Sequence, residues 1–138
     1  RKRTSPFRSK PKAAGVADIC YQFRGRSEDI LPMLKAKFDI IYIDANHHVD
    51  AVSKDLQLAL PLLKDGGIMC GTALERQLED FDPDFVKAKF HTDLFTDLET
   101  GQIFHPGVTY AVGRFSAAEY PTTADIGSCG RTVKNSTT

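Results

Sequence analysis

The chain has 138 residues, 41% hydrophobic and 26% charged, the proportions of one globular domain able to bury a core. No apolar run approaches the ~18 residues of a membrane span, and no charged-then-apolar secretion signal follows Arg1. The formal charge is zero, yet Arg1, Lys2, Arg3, Arg8, Lys10 and Lys12 fall in one acid-free stretch, leaving 12 basic against 18 acidic residues elsewhere.

That basic stretch opens a leader, residues 1–17, with Pro6, Pro11 and Gly15, which reads as flexible. Its first residue is Arg, not Met, so a processed product or a piece of something longer is expected. Clustered Lys and Arg release phosphate counterions. Phe7 is the one aromatic among them, too few for a stacking platform, so nucleic acid is not the expected partner.

Residues 18–115 read as the folded part. Ile19–Phe23 is a short apolar strand. Gly25-Arg26-Ser27 leads into a helix, with Ser27 as N-cap and Glu28 and Asp29 at its positive end. The run from Phe38 to Asp44 is the clearest strand, apolar enough for burial on both faces of a parallel sheet. A helix from about Val49 to Leu63 carries Val49, Val52, Leu56, Ala59, Leu60 and Leu63 as one stripe. Lys64-Asp65-Gly66-Gly67 ends it, and Ile68-Met69-Cys70 is the next strand. Asp82-Pro83-Asp84 starts a helix reaching about Phe90, with the acid as cap and Pro at the first position. A hairpin follows, with strands near Asp93–Leu98 and Val108–Phe115 and a turn at Glu99-Thr100-Gly101. Residues 116–138, rich in Ser, Thr and Gly, read as a flexible tail.

Alternating strands and helices imply right-handed crossovers and an α/β fold. The three cysteines, Cys20, Cys70 and Cys129, form no CxxC pair and are odd in number. That argues against a disulfide framework and a cysteine-held zinc, and a reducing, cytoplasmic setting is expected. Cys20 and Cys70 lie in apolar runs, as small hydrophobes do.

Ligands of open parallel sheets sit beyond the carboxyl ends of the strands. There the sequence places Gly25-Arg26-Ser27, Asp44-Ala45-Asn46-His47-His48 and Gly71-Thr72-Ala73-Leu74-Glu75. The run Phe38–His47, then Asp55-Leu56, then Leu62–Ile68, resembles class I S-adenosylmethionine-dependent methyltransferases, in their small-molecule O-methyltransferase-like branch. His105–Thr109 followed by Ala111-Val112-Gly113 resembles the last strand of that group. The resemblance covers about residues 19–115. It implies a partial Rossmann-like sheet, parallel strands with flanking helices and a C-terminal antiparallel hairpin.

The resemblance also implies S-adenosylmethionine as cofactor and a small-molecule methyl acceptor, an oxygen nucleophile by the branch. Ser27 matches a position near the adenine. Asp44 matches the acid ending the fourth strand, close to the methionine part and the substrate. Asn46 stands where a second acid is frequent, and His47 matches the family histidine. Asp44 and His47 are therefore the expected catalytic residues, and Ser27, Asp44 and Asn46 the expected cofactor contacts. Imidazole exchanges protons near neutral pH, which suits His47 to take a hydroxyl proton. The bland readings are a strand-end cap for Asp44, a helix cap for Ser27 and a surface role for His47. His48 reads as a bystander, Glu75 as a loop residue able to reach the pocket, and His105 as a loop residue.

The pattern departs from the family in three places. The glycine-rich loop after the first strand and the ribose-binding acid after the second have no counterpart, so the chain reads as the C-terminal part of the fold. Thr72-Ala73 stands where many relatives carry acids, and Asp44 with Asn46 makes a thin cation site, so no metal is expected. The strand ending at Ile43 is left with a bare apolar edge, which invites pairing with a second copy. A non-catalytic interaction or dimerisation module is the alternative function.

Overall fold

The computed structural model describes residues 6–119, 122–125 and 129–133, with side chains described for residues 10–117. The first element, α1 (Pro6–Ala13), lies within the stretch expected to be a flexible leader. Residues 1–5 of that leader fall outside the described residues.

Ile19–Phe23 is not a strand. No strand of the described sheets pairs with it, and Ile19, Tyr21 and Phe23 are 73%, 78% and 62% exposed. An apolar run without a ladder partner leaves its backbone groups to water. Cys20 lies exposed in the same stretch, not in an apolar interior.

The expected helix after Gly25 is short. It comprises α2 (Ser27–Ile30) and a 3-10 turn over Leu31–Met33 with Pro32 in its first positions. Arg26, not Ser27, takes the cap position, with extended backbone and no side-chain cap bond.

β1 (Phe38–Ile43) pairs in parallel with β2 (Leu63–Gly71). Ile40 faces Ile68, Ile41 faces Met69 and Ile43 faces Gly71. Between Phe38 and Ile40 the register slips. Lys64–Gly67, expected to stop the helix, lie within β2 on its side of this slip, and Gly66 adopts a φ of +74° that suits glycine. The full sheet has the order β1-β2-β6-β5. β5 (Thr122–Asp125) and β6 (Cys129–Val133) form an antiparallel hairpin whose second strand lines up against β2. The segment expected to be a loose tail therefore supplies two of the four strands of this sheet.

α3 (Val49–Ala59) crosses between β1 and β2, followed by a 3-10 turn over Leu60–Leu62. Its stripe is buried as the spacing predicts, with Val49, Val52, Leu56 and Ala59 at 1–7% exposure. The two valines and Leu56 each contribute about 1.5–3 kcal/mol of transfer free energy, and Ala59 less. The stripe meets Met69 and Leu63 from β2, and Val108 and Ala111 from α5 (Pro106–Glu119).

The residues read as a returning strand, Val108–Phe115, are helical. Val108, Ala111, Val112 and Phe115 recur at helical spacing, and all belong to or pack on the core. Pro106 at the first helical position fixes the start, and the His105 carbonyl accepts from Thr109 N–H at 3.0 Å. The expected hairpin pairs instead β3 (Phe95–Thr96) with β4 (Ile103–Phe104) around the Asp97–Gly101 turn.

α4 (Pro83–Lys87) starts as expected, with Asp82 Oδ1 accepting from Asp84 N–H at 3.0 Å, and ends earlier than Phe90. The core lies on one face of the sheet. On β1 the alternate residues Ile40 and Tyr42 are 64% and 56% exposed. Burial on both faces is therefore not observed, and β1 is the edge strand of this sheet among the described residues. No helix among the described residues is long and apolar enough to cross a membrane.

Candidate active site at the ends of the parallel strands

The carboxyl ends of β1 and β2 lie side by side, so the residues after each meet. Thr72 N–H continues the ladder to the Ile43 carbonyl at 3.2 Å. Its hydroxyl donates to Asp44 Oδ1 at 2.7 Å. Thr72, read in the sequence as a departure, thus orients the acid at the end of β1. Ala73 follows with a φ of +67°, rare for a residue with a side chain. The bend it makes buries Leu74 and leads to Glu75.

Asn46 closes a local turn by accepting from His48 N–H at 2.9 Å. This sets the extended backbone of His48 at the cap position of α3. His48 itself is exposed, as a bystander would be. Asp44, Asn46 and His47 line a cleft of about 50 Å³ floored by Val52, Leu56 and Met69. Beside it, an open groove of about 430 Å³ runs past Ser27, Glu28, Asn46, Asp50 and Lys54. Asn46 lines both. The structure therefore brings all four expected residues to one continuous surface.

Glu28 anchors the far wall of the groove through ion pairs to Arg26 and Lys54. The Lys54 hydrogen bond, with the nearby Arg26 charge, holds the Glu28 carboxyl below its ordinary value. A depressed carboxylate adds stability at neutral pH that is lost as pH falls through the folded value. The stability gap between the native chain and Lys54→Ala is expected to be largest at pH 7. It should narrow below about pH 4, the ordinary glutamate range, and close once Glu28 is protonated. Urea midpoints across that range test this, and a gap independent of pH would contradict it.

His47 lies deeper. Its Nδ1 is 3.2 Å from Asp93 Oδ1, and a carboxylate can only accept, so Nδ1 carries the proton of that bond. Nε2 is buried and has no hydrogen-bond partner among the described residues. The ring packs edge-on against His105, with centroids 4.5 Å apart. His105 is held by Glu75, which accepts from its backbone N–H at 3.2 Å and meets its Nδ1 at 2.9 Å.

His105 is a loop residue, as expected, and Asp93 lies before β3; what the sequence does not show is that both meet His47. The signal lay in the fold. β4 ends on Phe104, which is fully buried and stacks on Phe81 at 4.7 Å. That anchor sets the following residue, His105, against His47.

The profile described as "Methyltransferase domain" matches residues 2–71, half of the chain and the whole β1-α3-β2 unit. The chain belongs to this methyltransferase domain family. No curated protein matches it significantly. Solved structures share the fold of this methyltransferase domain at low identity. The O-methyltransferase TomG from Streptomyces achromogenes, in complex with SAM, is 21% identical, with a TM-score of 0.57 over 93% of this chain and 55% of its own. The O-methyltransferase from Bacillus cereus, in complex with SAH, is 21% identical, with a TM-score of 0.59 over 92% of this chain and 56% of its own. An O-methyltransferase family protein from Burkholderia thailandensis is 15% identical, with a TM-score of 0.61 over 96% of this chain and 41% of its own. The chain thus spans about half the length of these structures.

The groove offers the Ser27 hydroxyl and the Asn46 side chain, beside the acidic rim of Asp50 and Asp55. Its volume lies in the range of small-molecule sites. The deeper cleft at Asp44, at about 50 Å³, is too small for a nucleoside.

Proposed function

We propose that the protein to which this chain belongs transfers a methyl group from S-adenosylmethionine to the oxygen of a small acceptor. When bound, the cofactor supplies an electrophilic methyl group. Ser27 and Asn46 contact its adenosine side from the groove, and Asp44, oriented by Thr72, faces its methionine side. The observation that carries the reading is the state of His47. Asp93 takes the Nδ1 proton in a hydrogen bond, which leaves Nε2 with a lone pair and no competing partner. Such a nitrogen is suited to remove a hydroxyl proton, a step worth 10²–10⁴-fold in rate.

The test starts with binding. Calorimetric titration of the chain with S-adenosylhomocysteine is expected to give a micromolar Kd, about −8 kcal/mol, weakened by Asp44→Ala. In the protein that turns over, His47→Ala should lower kcat by about 10²–10⁴-fold while leaving cofactor affinity within a few-fold. No binding to folded chain would overturn the reading. It would favour the second one, an interaction module that pairs through β1, whose Ile40 is 64% exposed at the sheet edge.

A further inference from the structure

We infer that His47, Asp93 and His105 form a site for a divalent transition metal ion of the zinc type. One ligand atom from each lies within 4.8 Å of the other two. The residues come from three places: the loop after β1, the loop before β3, and the junction of β4 with α5. No stretch of sequence spans them.

The donor set decides the class of ion. Two imidazoles and one carboxylate suit zinc and its first-row neighbours, whereas magnesium and calcium prefer oxygen alone. Three protein ligands leave a position open to water or substrate, as in catalytic rather than structural zinc sites. Zinc bonds near 2.0–2.2 Å put tetrahedral donors about 3.4 Å apart. His47 Nδ1 and Asp93 Oδ1, at 3.2 Å, are at that spacing, and the ion takes the place of the proton they share. The widest pair must close by about 1.4 Å to reach that spacing. Asp93 can supply part of that movement, its side chain being 64% exposed.

Glu75 supplies the second element of such a site. It engages His105 Nδ1 at 2.9 Å and the His105 backbone N–H at 3.2 Å. A carboxylate on one imidazole nitrogen fixes the tautomer and presents the other nitrogen's lone pair for ligation. His47 has a buried nitrogen without a partner among the described residues. The His105 ring is therefore prepared to give electrons, and the unpartnered Nε2 of His47 can take up the proton that Nδ1 releases as the ion binds.

This inference shares His47 with the proposed methyl transfer, but its test needs no cofactor. It also sets a limit on that reading. A bound ion engages the His47 imidazole, so metal binding and proton abstraction by His47 exclude one another. The two proposals are read by different experiments and can fail separately.

The test is direct titration of the chain with Co²⁺ and Zn²⁺. One equivalent of Co²⁺ is expected to give visible ligand-field bands that Zn²⁺ abolishes and that millimolar Mg²⁺ leaves intact. Asp93→Asn, at an exposed position, should weaken Zn²⁺ by at least ten-fold without unfolding the chain. His105→Gln should do the same, and Glu75→Gln should weaken it by about 10–100-fold, as outer-shell partners do. His91→Ala and His48→Ala serve as controls and should leave affinity unchanged. Circular dichroism checks that each variant is folded. Failure to bind one equivalent would overturn the site. Binding that survives Asp93→Asn and His105→Gln together would do so too, as would displacement of Co²⁺ by Mg²⁺.

Discussion

Gly107→Ala is expected to destabilise the chain by about 3 kcal/mol or more, at the top of the range for inserted atoms in a packed site. A Cβ at Gly107 would lie 2.4 Å from the His47 carbonyl oxygen, 2.8 Å from Val49 N and 2.9 Å from Phe90 O. All three are backbone atoms, so no side chain can swing aside. Either α5 withdraws from the loop after β1, or that loop moves and takes His47 with it. Total stabilities are typically 5–15 kcal/mol, so the loss is a large share. A fall of roughly 10 °C in Tm follows at a few degrees per kcal/mol. Gly66→Ala provides the comparison. Gly66 also has a special backbone, φ +74°, but a Cβ there meets nothing within 4 Å. It should cost only the left-handed strain, about 1–2 kcal/mol. Thermal and urea unfolding of both variants would decide. Equal losses would show that the close approach of α5 to the His47 loop carries no weight.

Phe104→Ala is expected to cost about 3–5 kcal/mol, as for other buried aromatics. Phe104 is fully buried, stacked on Phe81 at 4.7 Å and edge-on to Phe95 at 5.9 Å. Phe85 completes the cluster against Phe81 and Phe95. Burial makes up most of the effect, and each ring pair adds about 0.5–1.5 kcal/mol. Phe95→Ala, at a partly exposed strand position, should cost less. The urea midpoint measures both, with an unchanged m-value indicating that only stability moved. A midpoint shift for Phe104→Ala no larger than for Phe95→Ala would count against an anchoring role. Because Phe104 precedes His105, its loss should also loosen the His47–His105 contact, visible as line broadening of their imidazole protons.

Much of the central unit was readable from local signals. The apolar run at Phe38–Ile43 and the Val49–Ala59 stripe each carry their structure in a few consecutive residues, whereas Lys64–Gly67, expected as a stop between helix and strand, lie inside β2. Asp82-Pro83 likewise specified its own cap. What failed were inferences that depend on a partner. Ile19–Phe23 has strand composition and no strand beside it. Val108–Phe115 reads as the return strand of a hairpin and resembles the family's last strand, although its apolar residues fit a period of 3.6, and Pro106 decides for the helix. The strands of the tail were hidden in Ser, Thr and Gly, and they form because β2 offers a ladder.

The candidate site divides in the same way. Asp44, Asn46 and His47 are contiguous and carry a family pattern, so they were legible. Ser27 was placed in the groove, but its capping role went to Arg26. Asp93 and His105 join His47 only through the fold of β3, β4 and α5, across 46 residues in the case of Asp93. Glu75 was placed near the pocket, yet its partner was invisible without the β4–α5 junction.

The one-sided sheet has a consequence for how this sequence can vary. Helices cover Ile41, Ile43 and Met69, so those positions are held apolar from within. Ile40, 64% exposed on the opposite face, has no such restraint among the described residues. Substitution there should drift toward polar residues in any lineage where that face meets only water. A record of apolar residues at this position across relatives would instead register a second layer, laid down by chain beyond this domain half or by another molecule.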